Sequence, residues 1–518
     1  MNTRSDALTR PKLSDALEVH RPAITGLVLG LAAFGILFNQ EAAAAVRTWI
    51  DSTAYNHCFL VIPIAVYLIW DRRSDLTGLV AQPFPRAALA GIPVMIVWLA
   101  AERLGIMEGR QLMVVTLLQF LFISVLGWRL WFAMSGPLLY LFFLVPFGEF
   151  LVPKLQDVTT VFIRHGLDLL RIPAYIDGYT IEIPEGNFYV AEACAGLRFL
   201  IASIAFGVLY ALMMYRSPGR RALFIAISII VPVIANGFRA LGIVVLGHVL
   251  GSAEAAAADH VLYGWIFFSL VILVLIGLGL PFREDEVRHA GQATVRPPFP
   301  SRPQPVRPAL VAAMAMVLVA SVSPGIAGAI DLAGGGFVGK PAGLDALPGC
   351  TSLPMAPPAS PNAAGALITR RFACGGVTFD IRAETFASRT TAGPVLAERR
   401  RLSRVPNAEE VVEDWLVNDL SSTARAWRVV RARDPAFETA SGVWIDGQPS
   451  RLGLPMRLRL AFTSLFGGAS PPPVVVTVTP VADWGKLNLE QQRRIDEALV
   501  QFLTAHPDLG ARIQVSAR

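Results

Sequence analysis

Apolar residues along this chain gather into long runs separated by short polar, basic or Pro/Gly-punctuated stretches, and only the last third departs from that pattern. The runs cover about residues 22–39, 57–70, 86–101, 111–127, 129–147, 194–215, 222–250, 261–280 and 309–330. A helix needs about 20 apolar residues to cross the hydrocarbon core, or a few less with tilt and flanking anchors. Each run therefore predicts a membrane span, the third being short and interrupted by Pro93. Between the fifth and sixth runs the pattern changes. Residues 151–171 read as an external amphipathic helix, followed by a hairpin of 179–183 and 188–190 around the turn Pro184-Glu185-Gly186-Asn187. Beyond 330 the apolar stretches become short and strand-like, as at 376–380 and 474–478. The chain closes on a helix near 488–504, which Asn488 caps with Gln491 at the third helical position. These last ~190 residues are enough to bury a core of their own. The expected fold class is an α-helical polytopic membrane protein of about eight or nine transmembrane helices followed by a soluble α+β domain. The expected division is a cytoplasmic tail (1–21), a multi-span membrane domain (22–280), a basic Pro-rich linker (281–308), a further span (309–330) and an accessory domain (331–518).

Composition supports this reading and orients it. Residues are 54% hydrophobic and 16% charged, with a mean hydropathy of +0.52, which is too apolar for a soluble globular protein. The net charge of +6 is modest and follows loop basicity, so it points to no nucleic-acid partner. Arg4, Arg10, Lys12 and Arg21 precede the first run, and Arg72, Arg73 and Arg86, then Arg129, then Arg216, Arg220 and Arg221 fall in alternate loops. Arg283, Arg288, Arg296, Arg302 and Arg307 join the last two runs. Basic loops stay in the cytoplasm, so the N-terminus is expected inside and residues 331–518 outside, in the periplasm of a bacterial envelope. The first twenty residues are polar and no small-residue cleavage site follows the first run, which is expected to remain as an anchor. Cys350 and Cys374 fall in the external domain, where an oxidising compartment favours a disulfide over two separate thiols. No Walker-type loop, dinucleotide fingerprint, tandem repeat or zinc spacing is present, and neither a metal nor an organic cofactor is expected.

Three side chains carry candidate chemistry. Cys194 opens the sixth run at its external end, where a thiol meets both water and a substrate held in lipid. His260 stands at the external end of the eighth run, and Arg239 lies within the seventh, at ~1.5 Å per residue well toward the outer leaflet. A thiolate nucleophile needs a base or cation to lower its pKa and an electropositive group to receive the oxyanion. The charge-derived topology brings all three groups to one membrane face. Each also has a plainer reading. Cys194 can be a small residue for close helix packing, and His260 an interfacial histidine. Arg239 is different, because a guanidinium in an apolar run is costly and normally carries a function or a partner. Asn236, one turn before Arg239, is placed to orient it. Arg198, one turn after Cys194, can depress the thiol pKa, bind substrate, or pair with Glu192 or Asp259. His57 is external and either lines the site or simply precedes a span. His248 competes with His260 as the base, and Gly237, Gly242, Gly247 and Gly251 suggest that the seventh run packs tightly or breaks near Arg239.

The motifs Ala193-Cys194-Ala195-Gly196-Leu197-Arg198, Asn236-Gly237-Phe238-Arg239 and His260 with Gly264-Trp265 resemble, in this order, those of the exosortase family, membrane cysteine transpeptidases related to archaeosortases. Tyr55-Asn56-His57-Cys58-Phe59-Leu60 and Tyr67-Leu68-Ile69-Trp70 resemble its early signature, so the resemblance covers about residues 20–280. Two positions depart from it: Ala195 stands where Ser is common, and Cys58 where Gly is expected. The resemblance implies Cys194 as nucleophile, Arg239 as the group polarising the scissile carbonyl, and His260 as general acid and base. Its implied substrates are exported proteins ending in a short Pro-containing motif, one membrane helix and a basic tail. They would be cut and passed to an envelope acceptor at the bacterial inner membrane. It also implies partners from an exopolysaccharide system, besides membrane lipid. The rival class is a polysaccharide-export or transporter component, in which Arg239 lines a pathway but Cys194 and His260 stay unexplained. An acyltransferase or a plain intramembrane protease would use similar groups.

Overall fold

Long apolar runs do become helices, and the departures occur where Pro and Gly interrupt them. The computed structural model describes residues 13–73, 76, 79–251, 260–284, 305–333, 341–342, 344–354, 366–387, 389–402, 411–416, 427–433, 436–450, 453–466, 472–484 and 487–515. The tail before residue 13, the linker stretch 285–304 and residues 334–340 therefore lie outside the described residues. The helices in chain order are α1 (Leu13–Leu37), α2 (Asn39–Asp51), α3 (Val61–Asp71), α4 (Gly91–Arg103), α5 (Met107–Leu126), α6 (Trp128–Ala133) and α7 (Ser135–Tyr140). They continue with α8 (Val152–Leu170), α9 (Leu197–Met214), α10 (Pro218–Leu250), α11 (His260–Gly279) and α12 (Val306–Ala333). Among the described residues, six helical stretches are long and apolar enough to cross a membrane, or eight if two bent pairs each count as one span.

The bent pairs are where the helices differ from the runs. Residues 40–56 were expected as a loop but carry α2, whose Ala-rich sequence favours helix and which buries Glu41, Ala45 and Trp49 at i, i+4 and i+8. A bend of 119° separates it from the 3-10 turn Asn56–Leu60 and α3. The fifth run, expected as one span, is divided into α6, α7 and the 3-10 turn Leu141–Leu144. Pro146 then removes a backbone donor and Gly148 adopts φ 126°, so the chain turns by 69° into α8. By contrast α10 runs unbroken for 33 residues through Pro232 and past Arg239. Of the two outcomes left open for this run, tight packing is the one adopted. A Cβ on Gly237 would lie 2.6 Å from the Phe162 ring, and one on Gly247 would lie 2.4 Å from that of Phe188.

The chain divides into two units, residues 1–91 with 114–319 and residues 92–113 with 320–518. In the first, α8 is amphipathic as its sequence predicts, burying Gln156, Thr159, Thr160, Ile163 and Leu167. The hairpin that follows gains a strand, giving an antiparallel sheet of β1 (Tyr175–Asp177), β2 (Thr180–Ile183) and β3 (Gly186–Tyr189). Ile163 and Leu167 of α8, Ile181 and Ile183 of β2, and Ala240 and Val244 of α10 form one core. Tyr179 locks the sheet to α8 by donating to Asp157 Oδ1 at 3.0 Å.

The second unit is built on strands β4 (Pro341–Ala342), β5 (Cys350–Leu353), β6 (Ala366–Cys374), β7 (Val377–Thr385), β8 (Val411–Leu416), β9 (Trp427–Arg433), β10 (Ala436–Ile445), β11 (Gln448–Pro449), β12 (Val474–Pro480) and β13 (Gln514–Val515). Seven form an antiparallel sheet in the order β5-β6-β7-β12-β10-β9-β8, with β11 beside β10, while β4 and β13 pair separately. Three helices cover this sheet: α13 (Ala392–Leu402), α14 (Leu454–Phe466) and α15 (Leu489–Ala505). Leu499, Phe502 and Leu503 of α15 close one face over Phe379, Trp427 and Trp444. Val395 of α13 and Met456 and Leu460 of α14 close the other over Val443, Ile445 and Val475. Alternating strand residues thus feed two cores. Asn488 and Gln491 form the expected capping box of α15. Cys350 and Cys374 are opposed across β5 and β6 with Cα atoms 4.5 Å apart, and they are disulfide-bonded.

The same unit contains the turn between α4 and α5. Arg457 Nη1 of α14 donates to Leu104 O and Gly105 O, both at 2.9 Å. Gly105 has φ 64°, and a Cβ there would lie 2.4 Å from the backbone nitrogen of Gly393 in α13. The C-terminal domain is thereby attached to the turn between α4 and α5.

Candidate active site

The path from sequence to site begins at a glycine. Cys194 lies in the 3-10 turn Glu192–Ala195, closed by Cys194 N donating to Ala191 O at 2.8 Å. Gly196 then takes φ 83° and starts α9 in a new direction. Any other residue would strain that backbone, and its Cβ would lie 2.5 Å from Cγ of Asn236. The nucleophile candidate therefore precedes its helix on a tight turn, leaving its side chain only partly buried rather than packed inside the helix.

Asn236 is the hub of what surrounds it. Its Nδ2 donates to Cys194 O at 3.0 Å and to Thr159 Oγ1 at 3.3 Å, while its Oδ1 accepts from Arg239 Nε at 3.3 Å. A guanidinium only donates and a peptide carbonyl only accepts, so these contacts settle which way the amide points. One side chain thus links the Cys194 turn, α8 and Arg239. On α8, Gln156 donates to Val190 O at 2.9 Å and fixes the strand leading into the Cys194 turn.

Arg239 is 2% exposed. Its Nη2 is buried and has no hydrogen-bond partner among the described residues. Its guanidinium lies over the Phe199 ring at 5.4 Å, and that of Arg198 lies over the same ring at 4.6 Å. Cys194 and Arg239 line one pocket of about 50 Å³, whose other walls include Ile163, Ile181, Phe188 and Val190. Cys194 and Arg239 thus border one small, mostly apolar cavity, and the guanidinium carries a buried N–H without a partner among the described residues. Low polarity around such a pair strengthens its electrostatics.

The remaining candidates are distributed as follows. His260 is the first residue of α11, and its side chain lies outside the described residues. Gly264, four residues on and on the same helical face, packs so closely that a Cβ there would meet Arg198 Nη2 at 3.2 Å. Arg198 itself forms no ion pair with Glu192, and Asp259 lies outside the described residues. His57 is held at the turn before α3, where its Nδ1 is 3.1 Å from Ala54 O, and it does not line the pocket. His248 lies 2.9 Å from Glu185 Oε2 in ion-pair contact, without hydrogen-bond geometry, and not against Cys194 or Arg239. No cluster of His, Cys, Asp or Glu among the described residues is arranged to hold a metal ion.

Gly196, Thr159, Gln156 and Phe199 were not singled out from sequence. The polar pair on α8 had a detectable signal: Gln156 and Thr159 share the 3.6-residue register of its apolar face. Residues 49–277 match the family described as transmembrane exosortase, while no curated protein and no solved structure matches the chain.

Proposed function

Residues 49–277 belong to the transmembrane exosortase family, and from that premise we propose that the chain cleaves exported proteins at a C-terminal sorting signal and transfers them to an envelope acceptor. The family is one of cysteine transpeptidases. The observation that carries the reading is the pocket that Cys194 shares with Arg239, whose buried Nη2 has no hydrogen-bond partner among the described residues. Cys194 Sγ attacks the scissile carbonyl, and Arg239 stabilises the oxyanion that forms. The peptide nitrogen leaves with a proton, the exported chain stays on sulfur as a thioester, and an acceptor nucleophile then releases it. His260 removes the thiol proton, delivers it to the leaving amine and later deprotonates the acceptor. Asn236 positions both Cys194 and Arg239 for these steps. Substrates carry a short Pro-containing motif, a membrane helix and a basic tail, and exopolysaccharide-system components are partners. The basic loops orient the protein in the inner membrane with the pocket and residues 331–518 toward the periplasm.

Replacing Cys194 by Ala tests the proposal. Uncut precursor is expected to accumulate in membranes, and no thioester should be trapped by hydroxylamine. Processing at the wild-type rate in that variant would remove the nucleophile assignment.

A further inference from the structure

Helix α14 is apolar on two faces. Met456, Leu460 and Ser464 are buried against the sheet. On the opposite side Leu454, Leu458, Phe462 and Phe466, at successive i+4 positions, are 58%, 52%, 64% and 71% exposed. The Phe462 and Phe466 rings contact each other at 5.1 Å and extend this stripe to the end of the helix. Helices on the surface of a water-soluble domain are polar on their outer face. Four large apolar side chains in one row instead mark a surface that something covers.

Two observations identify the cover as lipid. Arg457, one residue before Leu458, bonds both carbonyls of the Leu104–Gly105 turn. That turn joins Pro85–Arg103 to Met107–Leu126, two helices long and apolar enough to span. A turn of three residues between two spans lies at the level of the membrane–water interface. The start of α14 is held at that level by its own hydrogen bonds. We propose that α14 is an interfacial helix whose Leu454–Leu458–Phe462–Phe466 stripe inserts into the bilayer surface, so that the external domain rests on the membrane. Such helices bury an apolar face several ångströms into the headgroup region. Their binding scales with the apolar area buried. The expected consequence is a domain held flat on the lipid by a hydrogen-bonded end and an apolar row, and not free to swing on α12.

The test uses the full chain in nanodiscs of phosphatidylcholine and phosphatidylglycerol. A nitroxide is attached at Phe462→Cys, and separately at Arg493→Cys on the exposed side of α15, with Cys58 and Cys194 replaced by Ala. At Phe462 oxygen is expected to broaden the spectrum several-fold more than a water-soluble nickel complex does, and at Arg493 the order should reverse. Equal nickel access at the two positions would overturn the proposal, because the stripe would be in water. Shielding of the Phe462 probe from both reagents would also overturn it, because protein would then be the cover. A second measurement leaves the chain unaltered. A lipid-borne photoreactive carbene should label residues 454–466 several-fold above residues 489–505, and equal labelling would count against lipid insertion.

Discussion

Two arginines are buried almost completely in membrane helices, and the surroundings of the two differ. Arg103, 1% exposed at the end of α4, pairs with Glu102 and with Asp331 at 3.0 Å. Arg239, 2% exposed within α10, has an amide oxygen and an aromatic face as neighbours and no carboxylate ion pair among the described residues. Both positions bear a large desolvation cost. At Arg103 the cost is offset by opposite charge, which suits a fixed joint between α4 and α12. At Arg239 it is left largely uncompensated beside a thiol, the arrangement expected where the stabilising anion appears only during a reaction. On the proposed function, the contrast separates a structural charge from a catalytic one more sharply than burial does.

The contrast can be broken most directly at Arg239. Arg239→Lys is expected to lower kcat/KM for precursor cleavage by about 10²–10³-fold, the scale of losing an oxyanion donor, while the thermal unfolding midpoint stays or rises. A variant that unfolds early but turns over normally would make Arg239 structural too. The mirror experiment is Arg103→Ala, which strands Glu102 and should cost about 3 kcal/mol of stability. Folded Arg103→Ala protein should cleave at close to the parent rate, as measured by activity normalised to folded fraction. Asn236→Ala should reduce kcat about tenfold with little change in KM, through loss of hydrogen bonds that hold a reacting group in place. Asn236→Asp keeps the acceptor for Arg239 but loses the donor to Cys194 O, so a partial recovery would locate the effect at the Arg239 side.

Glu438 in the C-terminal domain supplies a third, smaller case, in which a buried carboxyl faces another carboxyl. Burial, and then the Asp496 carboxyl beside it, push its pKa from 4.5 up to about 8, against the opposing pull of Arg431. Between those two values the folded domain holds a proton that the unfolded chain releases. Stability is therefore complete below about pH 4.5 and falls as pH rises through about 8. The unfolding midpoint of this domain should drop by several degrees from pH 5 to 8, and Glu438→Gln should flatten that slope. An unchanged slope would mean that Arg431 neutralises the pair.

Much of this architecture was legible in residue order. The apolar runs, the amphipathic α8 and the capped α15 each depend on neighbours within a few residues, where transfer energy and helical periodicity sum locally. The breaks were harder to read. The Ala-rich α2 lacks the hydropathy of a span, and the fifth run hides its division because Gly136 and Pro137 lie among residues as apolar as any helix. Arg239 was conspicuous for its charge, and Cys194 and His260 for their places at run ends. Thr159 and Gln156 were masked by the common occurrence of polar residues on an amphipathic helix.

Sequence by itself determined that this is a multi-span membrane chain followed by a separate strand-containing domain, and which reactive residue types stand at its helix ends. Hydrophobic transfer and loop charge are properties of the chain whether folded or not, so they can be summed in order. Only the tertiary structure decided that Asn236 reaches back 42 residues to the carbonyl of Cys194, that Arg239 lines the same pocket as Cys194 with a buried N–H unpartnered among the described residues, and that α14 carries an apolar row on its outer face. Those facts depend on which helices pack together and in what rotation. Packing sets that through contacts between residues far apart in sequence.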